Sequence, residues 1–106
     1  MQININSPRE LGLLIRATRK AQKLRLDDVA GSAGVGHVFV RDVERGKETV
    51  QLGRVMKLLA ELGITLSADV SHDVAPVLAT LKLKGVKPLR PRRKSADPGN
   101  GKEDPT

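Results

Sequence analysis

LRLDDVAGSAGVGHVFVRDVERG, residues 24–46, is the stretch on which the fold turns. It reads as two short helices joined by a glycine-containing turn, with the second helix presented outward. Val29, Ala30, Val35, Val40 and Val43 supply the apolar positions, Ala30 is small enough for close helix approach, and Gly34 suits the left-handed conformation that ends the first helix. The first helix is expected over Leu26 to Ser32, with Asp27 and Asp28 as helix-end charges in its opening turn. The second begins at Gly36 or His37 and stops near Arg45 and Gly46. Such a helix-turn-helix sets its second helix against DNA.

The flanking sequence extends this to a small helical bundle. Ser7, Pro8, Arg9 and Glu10 form a capping box with proline at the first helical position, so a helix is expected from there to about Gln22, carrying Leu11, Leu14, Ile15 and Thr18 at helical spacing. Thr49 is expected to cap a further helix with a buried stripe of Leu52, Val55, Met56, Leu59 and Leu62, closed by Gly63. Two stretches change to a period of two: Gln2 to Asn6, with Ile3 and Ile5 on one face, and Ile64 to Val70, with Ile64, Leu66, Ala68 and Val70 on one face. A lone strand is unstable in water, so residues 64–70 need a partner. Either the N-terminal strand or the same strand of a second subunit would serve. Two-fold symmetry suits a protein reading a palindrome and favours the sheet between subunits.

Composition narrows the class of function. In 106 residues there is room for one small domain and a tail, expected at 1–72 and 73–106. Phe39 is the single aromatic, which argues against stacking on single-stranded bases; beside two core valines, Val40 and Val43, it reads as packing rather than as a wedge between base pairs. With no cysteine there is no disulfide or thiolate chemistry, and no apolar run nears a membrane span or a signal core, so a cytoplasmic protein is expected. The net charge of +7 divides into 11 basic against 8 acidic residues over 1–70 and 8 against 4 over 71–106. Such a balance attracts polyanions without identifying one. Val74 to Leu83 suits a short helix or strand, and from Lys87 onward proline, glycine and charge predict disorder. The cluster Arg90, Arg92, Arg93 and Lys94 suits a DNA arm, a partner-binding segment or a solubilising tail equally.

The candidate chemistry is recognition, not catalysis. His37, Val38, Arg41 and Asp42 are expected to face outward and read bases: Arg41 matches guanine O6 and N7 or a phosphate, Asp42 accepts from cytosine N4, and Val38 meets a thymine methyl. Arg25, Gly36, Arg45, Lys47, Thr49 and Gln51 are candidates for phosphate contacts, which position without specifying. GSAGVG, residues 31–36, lacks the Lys and Ser/Thr of a phosphate loop, and His37 and His72 have no metal-spaced neighbours, so neither an enzyme, a cofactor nor a metal is expected.

From Leu11 to about Val70 the chain resembles the Xre/Cro helix-turn-helix family and, within it, the HipB-like antitoxins; AGVG, FVRDVERGK and the strand after LLAELG are the most specific parts. The resemblance implies an all-α, lambda-repressor-like bundle of four to five helices, followed by a short β-strand in an intersubunit sheet. It also implies a buried ion pair between Arg19 and Glu44, and a homodimer that binds double-stranded operator DNA and represses its own operon. HipB-like members neutralise a HipA-like serine/threonine kinase toxin. A stand-alone regulator and an adaptor that has lost DNA binding are the alternatives. One departure stands out. Where the family opens its second helix with Thr-Gln, the glutamine touching a phosphate, this chain has Arg25-Leu26, and Arg25 would have to supply that contact from one residue earlier.

Overall fold

The computed structural model describes residues 1–85, and the fold is all-α: α1 (Pro8–Ala21), α2 (Leu26–Ala33), α3 (His37–Glu44), α4 (Leu52–Leu62) and α5 (Val74–Leu83). The basic cluster Arg90 to Lys94 and the predicted disorder from Lys87 lie outside the described residues. Two compact units divide the chain, Met1–Ser67 and a second beginning at Ala68.

Each helix of the first unit starts and stops for a local reason. At α1 the Ser7 hydroxyl accepts from Glu10 N at 3.1 Å while Glu10 accepts from Asn6 N at 2.6 Å, so two otherwise orphaned amides are satisfied. Gly34 ends α2 at φ 70°, and the amides of Gly34 and Val35 return to the carbonyls of Gly31 and Ala30 at 3.2 and 3.0 Å. Val35, held by that turn, packs on the core. The end of α4 is tied from outside: Gln22 Nε2 donates to the Leu62 carbonyl at 2.9 Å.

One contiguous core joins the four helices. Ile15 from α1, Val29 and Ala30 from α2, Val40 and Val43 from α3, and Val55, Leu58, Leu59 and Leu62 from α4 are buried together. Burying each of the larger of these side chains contributes about 1.5–3 kcal/mol relative to exposure. Gly12 lets α1 lie directly on the end of α3: a Cβ there would come within 2.3 Å of the Val43 carbonyl oxygen and 2.8 Å of that of Glu44. Gly46 does the same for the following loop, at φ 85° with the Arg9 Cα 2.8 Å from where its Cβ would stand.

Four expectations need correction. The stripe of α4 is centred elsewhere: Leu52 and Met56 are exposed, at 68% and 49%, and Leu58 is fully buried. At about 100° per residue, Val55, Leu62 and Leu59 define a face with Leu58 on one shoulder, while Met56 lies more than a quarter turn off the other. Thr49 does not cap α4. Val50 packs against the core and Gln51 stays extended at φ −73°, ψ 121°, which delays the helix to Leu52. Residues 2–6 are not a strand, and residues 64–70 are not paired as one; among the described residues there is no strand. The period of two alone cannot hold a ladder, because each backbone group still needs a partner, and residues 1–6 do not provide one to 64–70.

In the second unit, α5 is helical, and Val74, Val77, Leu78 and Leu81, which recur at helical spacing on one side of it, are all exposed. No helix of the described residues is long and apolar enough to cross a membrane.

Candidate nucleic-acid interface

The outward face of α3 follows from what the helix buries. Val40, Val43 and Glu44 point inward and Phe39 is half-buried, so the opposite side at about 100° per residue is centred on Val38 and Arg45, flanked by Asp42 and Arg41, with His37 at its edge. All four predicted base-reading side chains therefore share one side of the helix with Arg45. Val38 is 53% exposed, a large apolar group kept in solvent on an otherwise polar face.

Pairing separates the charges on this surface. Arg25 lies 3.5 Å from Asp28, Lys47 lies 3.5 Å from Asp42, and His37 Nδ1 is hydrogen-bonded to Asp27. Arg41 and Arg45 have no carboxylate within salt-bridge distance among the described residues. They carry the uncompensated positive charge. Arg41 is half-buried and its Nε is enclosed without a hydrogen-bond partner, so its reach is restricted by the surrounding atoms. Asp42 is also half-buried, at 28% side-chain exposure, and its carbonyl accepts from Lys47 N at 3.0 Å. Asp42 and Lys47 thus engage each other before they meet any ligand.

The remaining candidates surround this helix in sequence. Gly36 occupies the N-cap of α3 and brings no side-chain acceptor, so the first-turn amides are open to an anion. Arg25 holds the equivalent position at α2, where its own amide donates to Asp28 Oδ2 at 3.1 Å. Arg45, Lys47, Thr49 and Gln51 are exposed along the loop from α3 to α4.

Behind the face, Arg19 and Glu44 form the ion pair that the resemblance implies. Arg19 Nε and Nη2 donate to the two Glu44 oxygens at 2.6 and 3.0 Å, and Nη1 donates to the Leu24 carbonyl at 3.0 Å. The hydrogen bond that Arg19 donates to Glu44 raises the Arg19 pKa above its ordinary value, against the opposing effect of burial. One guanidinium therefore ties the end of α3 to α1 and to the turn before α2. Leu26 packs on the edge of the core.

Three contributors were not evident in the sequence. Gly12 looks like an ordinary helical glycine until its neighbours are known, although an isolated glycine inside an amphipathic pattern is itself a sign of close packing. Arg54 lies over the Phe39 ring at 6.0 Å, covering a side chain that packs against the core instead of projecting as a wedge. Asp27 reaches His37 from ten residues away, across the turn, and no linear spacing signals that contact. Among the described residues no group of three or more His, Asp or Glu side chains is arranged to hold a metal.

Known proteins share this architecture. The Helix-turn-helix family profile matches residues 15–68, and the chain is 46% identical over 66 residues to an uncharacterized HTH-type transcriptional regulator, y4mF, of Sinorhizobium fredii, a match covering 62% of this chain and 87% of the relative. Among solved structures, a chain of the HipA-HipB-O2-O3 complex superposes with a TM-score of 0.62 at 17% identity, covering 66% of this chain and 99% of that one. A chain of the HipB-O4 20mer complex superposes at 0.61 and 17%, with the same coverage. At that identity the likeness is one of fold.

Proposed function

The chain belongs to the helix-turn-helix family of DNA-binding transcriptional regulators, and from that premise we propose that it is a homodimeric, sequence-specific repressor of its own operon and the HipB-like antitoxin of a HipA-like serine/threonine kinase. The observation that carries the DNA half is the outward face of α3, where the exposed Val38 shares one side of the helix with Arg41 and Arg45, two guanidiniums free of carboxylates among the described residues. In this reading α3 lies in the major groove, with His37, Val38, Arg41 and Asp42 toward base edges. Arg25, the Gly36 amide region, Arg45, Lys47, Thr49 and Gln51 contact the phosphates on either side. The antitoxin half is supported by the superposition on a chain of a HipA-HipB complex. The 46% identical relative is described only as a regulator, which favours a stand-alone repressor as the second reading.

Binding to a fragment of its own promoter, followed as salt is raised, tests the first half. Arg45→Ala is expected to weaken promoter and random DNA alike and to lower the salt slope by about one, the signature of a phosphate contact. Arg41→Ala is expected to weaken the promoter fragment more than random DNA, by roughly tenfold or more. A native chain that prefers its promoter no more than random DNA removes the repressor reading and leaves the adaptor. Co-purification with the product of the adjacent gene tests the second half, and the absence of any kinase beside this gene would favour the stand-alone regulator.

The dimer is proposed to form through residues 64–70. Ile64 and Leu66 border a shallow apolar groove shared with Met56, Leu59, Ala60, Gly63 and Thr65, and Met56 and Leu66 are exposed there. Pairing of residues 64–70 from two subunits as strands, with Ile64, Leu66, Ala68 and Val70 on one face, would satisfy their backbone groups and cover this surface. Deleting residues 64–70 is expected to halve the mass measured by light scattering and to lower promoter affinity. A mass unchanged from that of a native dimer would place the interface elsewhere.

A further inference from the structure

The first turn of α2 carries two adjacent carboxylates that do different work. Asp28 completes the helix start: it accepts from the Arg25 amide at 3.1 Å and lies 3.5 Å from the Arg25 guanidinium. Asp27 has no part in that cap. Its Oδ1 instead meets Nδ1 of His37, the first residue of α3, although both side chains are exposed and free to turn into solvent. Of the other charged groups near this end, Arg25 is engaged with Asp28, and Arg41 stands one turn along α3, so Asp27 is the carboxylate that acts on the imidazole.

An ionised carboxylate only accepts, so this contact keeps a proton on Nδ1 and leaves Nε2 as the uncommitted nitrogen of the ring. In a neutral imidazole held this way, Nε2 is an acceptor. The donors that a major groove offers to an acceptor are the exocyclic amines, N4 of cytosine and N6 of adenine. We propose that Asp27 is a positioning residue for base recognition: it fixes the tautomer and orientation of His37, which then selects an amine-bearing base through Nε2. The proposal rests on the reading of α3 as the recognition helix. It gives a use to the residue beside Leu26: the apolar Leu26 packs inward, and the polar contact from α2 to α3 is made one residue later.

The test compares native protein, His37→Ala, Asp27→Ala and the double variant on a promoter fragment whose half-site positions are randomised one at a time. It is run at a pH of about 8, above the ordinary imidazole range. The native chain is expected to prefer cytosine or adenine at one position by roughly five- to tenfold. Each single variant is expected to flatten that position alone, and the double variant to be no flatter than His37→Ala. Thermal melting should be unchanged throughout, because neither side chain is buried. The inference is overturned if Asp27→Ala keeps the native preference, flattens a different position, adds its effect to that of His37→Ala, or if the preferred base is guanine or thymine. A native chain with no preference at any position instead overturns the reading of α3 itself, and Asp27 with it.

Discussion

Gly12→Ala is expected to destabilise the first unit by about 3 kcal/mol or more, at the upper end of what overpacking costs. The added methyl has nowhere to go: it would stand 2.3 Å from one backbone carbonyl oxygen and 2.8 Å from the next, and backbone cannot rotate away as a side chain can. Relief requires α1 to lift from the end of α3, which opens the core where Ile15 meets Val40 and Val43. For a domain of this size, total stability is only about 3–10 kcal/mol, so the melting midpoint should fall by more than about 10 °C. Gly31→Ala is the matched control. Gly31 lies inside α2 with nothing within 4 Å of its would-be Cβ, and alanine there should stabilise by about 0.5–1 kcal/mol through helix propensity. If the two variants melt together, the close approach of α1 to α3 is not what Gly12 is for.

The contrast between these glycines shows which parts of the fold the sequence discloses. Local rules wrote the helix ends plainly: the Ser7 box, the left-handed Gly34 and the closing Gly63 are found where their chemistry places them, because each is decided within a few residues. The inward set of α3 was equally legible, since Val40 and Val43 admit one orientation. Features decided by partners distant in the chain were not. Choosing between Met56 and Leu58 for the buried face of α4 depends on where the other helices lie, and hydrophobicity alone does not distinguish a leucine from a methionine two residues away. The contact of Asp27 with His37 depends on the angle between α2 and α3. Residues 64–70 carry a strand pattern whose partner no single chain has to contain, so their period speaks of a preference and not of a structure.

Glu44→Ala should rival Gly12→Ala in cost, for an electrostatic reason. Removing the glutamate leaves the Arg19 guanidinium, whose side chain is only 12% exposed, with the Leu24 carbonyl as its one remaining partner among the described residues. Truncating one member of a buried pair generally costs about 3–5 kcal/mol, because the survivor keeps its desolvation penalty. Arg19→Ala is expected to fall in the same range: it strands the Glu44 carboxylate and also strips the Leu24 carbonyl of its donor. Replacing both, as Arg19→Met with Glu44→Leu, should cost much less than the sum, since no charge is left behind and the volume is filled. Urea denaturation of the four proteins measures this directly, and additive losses would mean that the two groups are not energetically paired. The consequence for DNA follows from position. Glu44 is the last residue of α3, so the pair fixes the end of that helix relative to α1 while leaving its outward side chains unchanged. Promoter affinity of the single variants should therefore fall with the fraction folded, while the salt slope of the folded protein stays that of the native chain. A changed slope at full folding would mean that the pair sets the pose of α3 on the phosphates and not merely its stability.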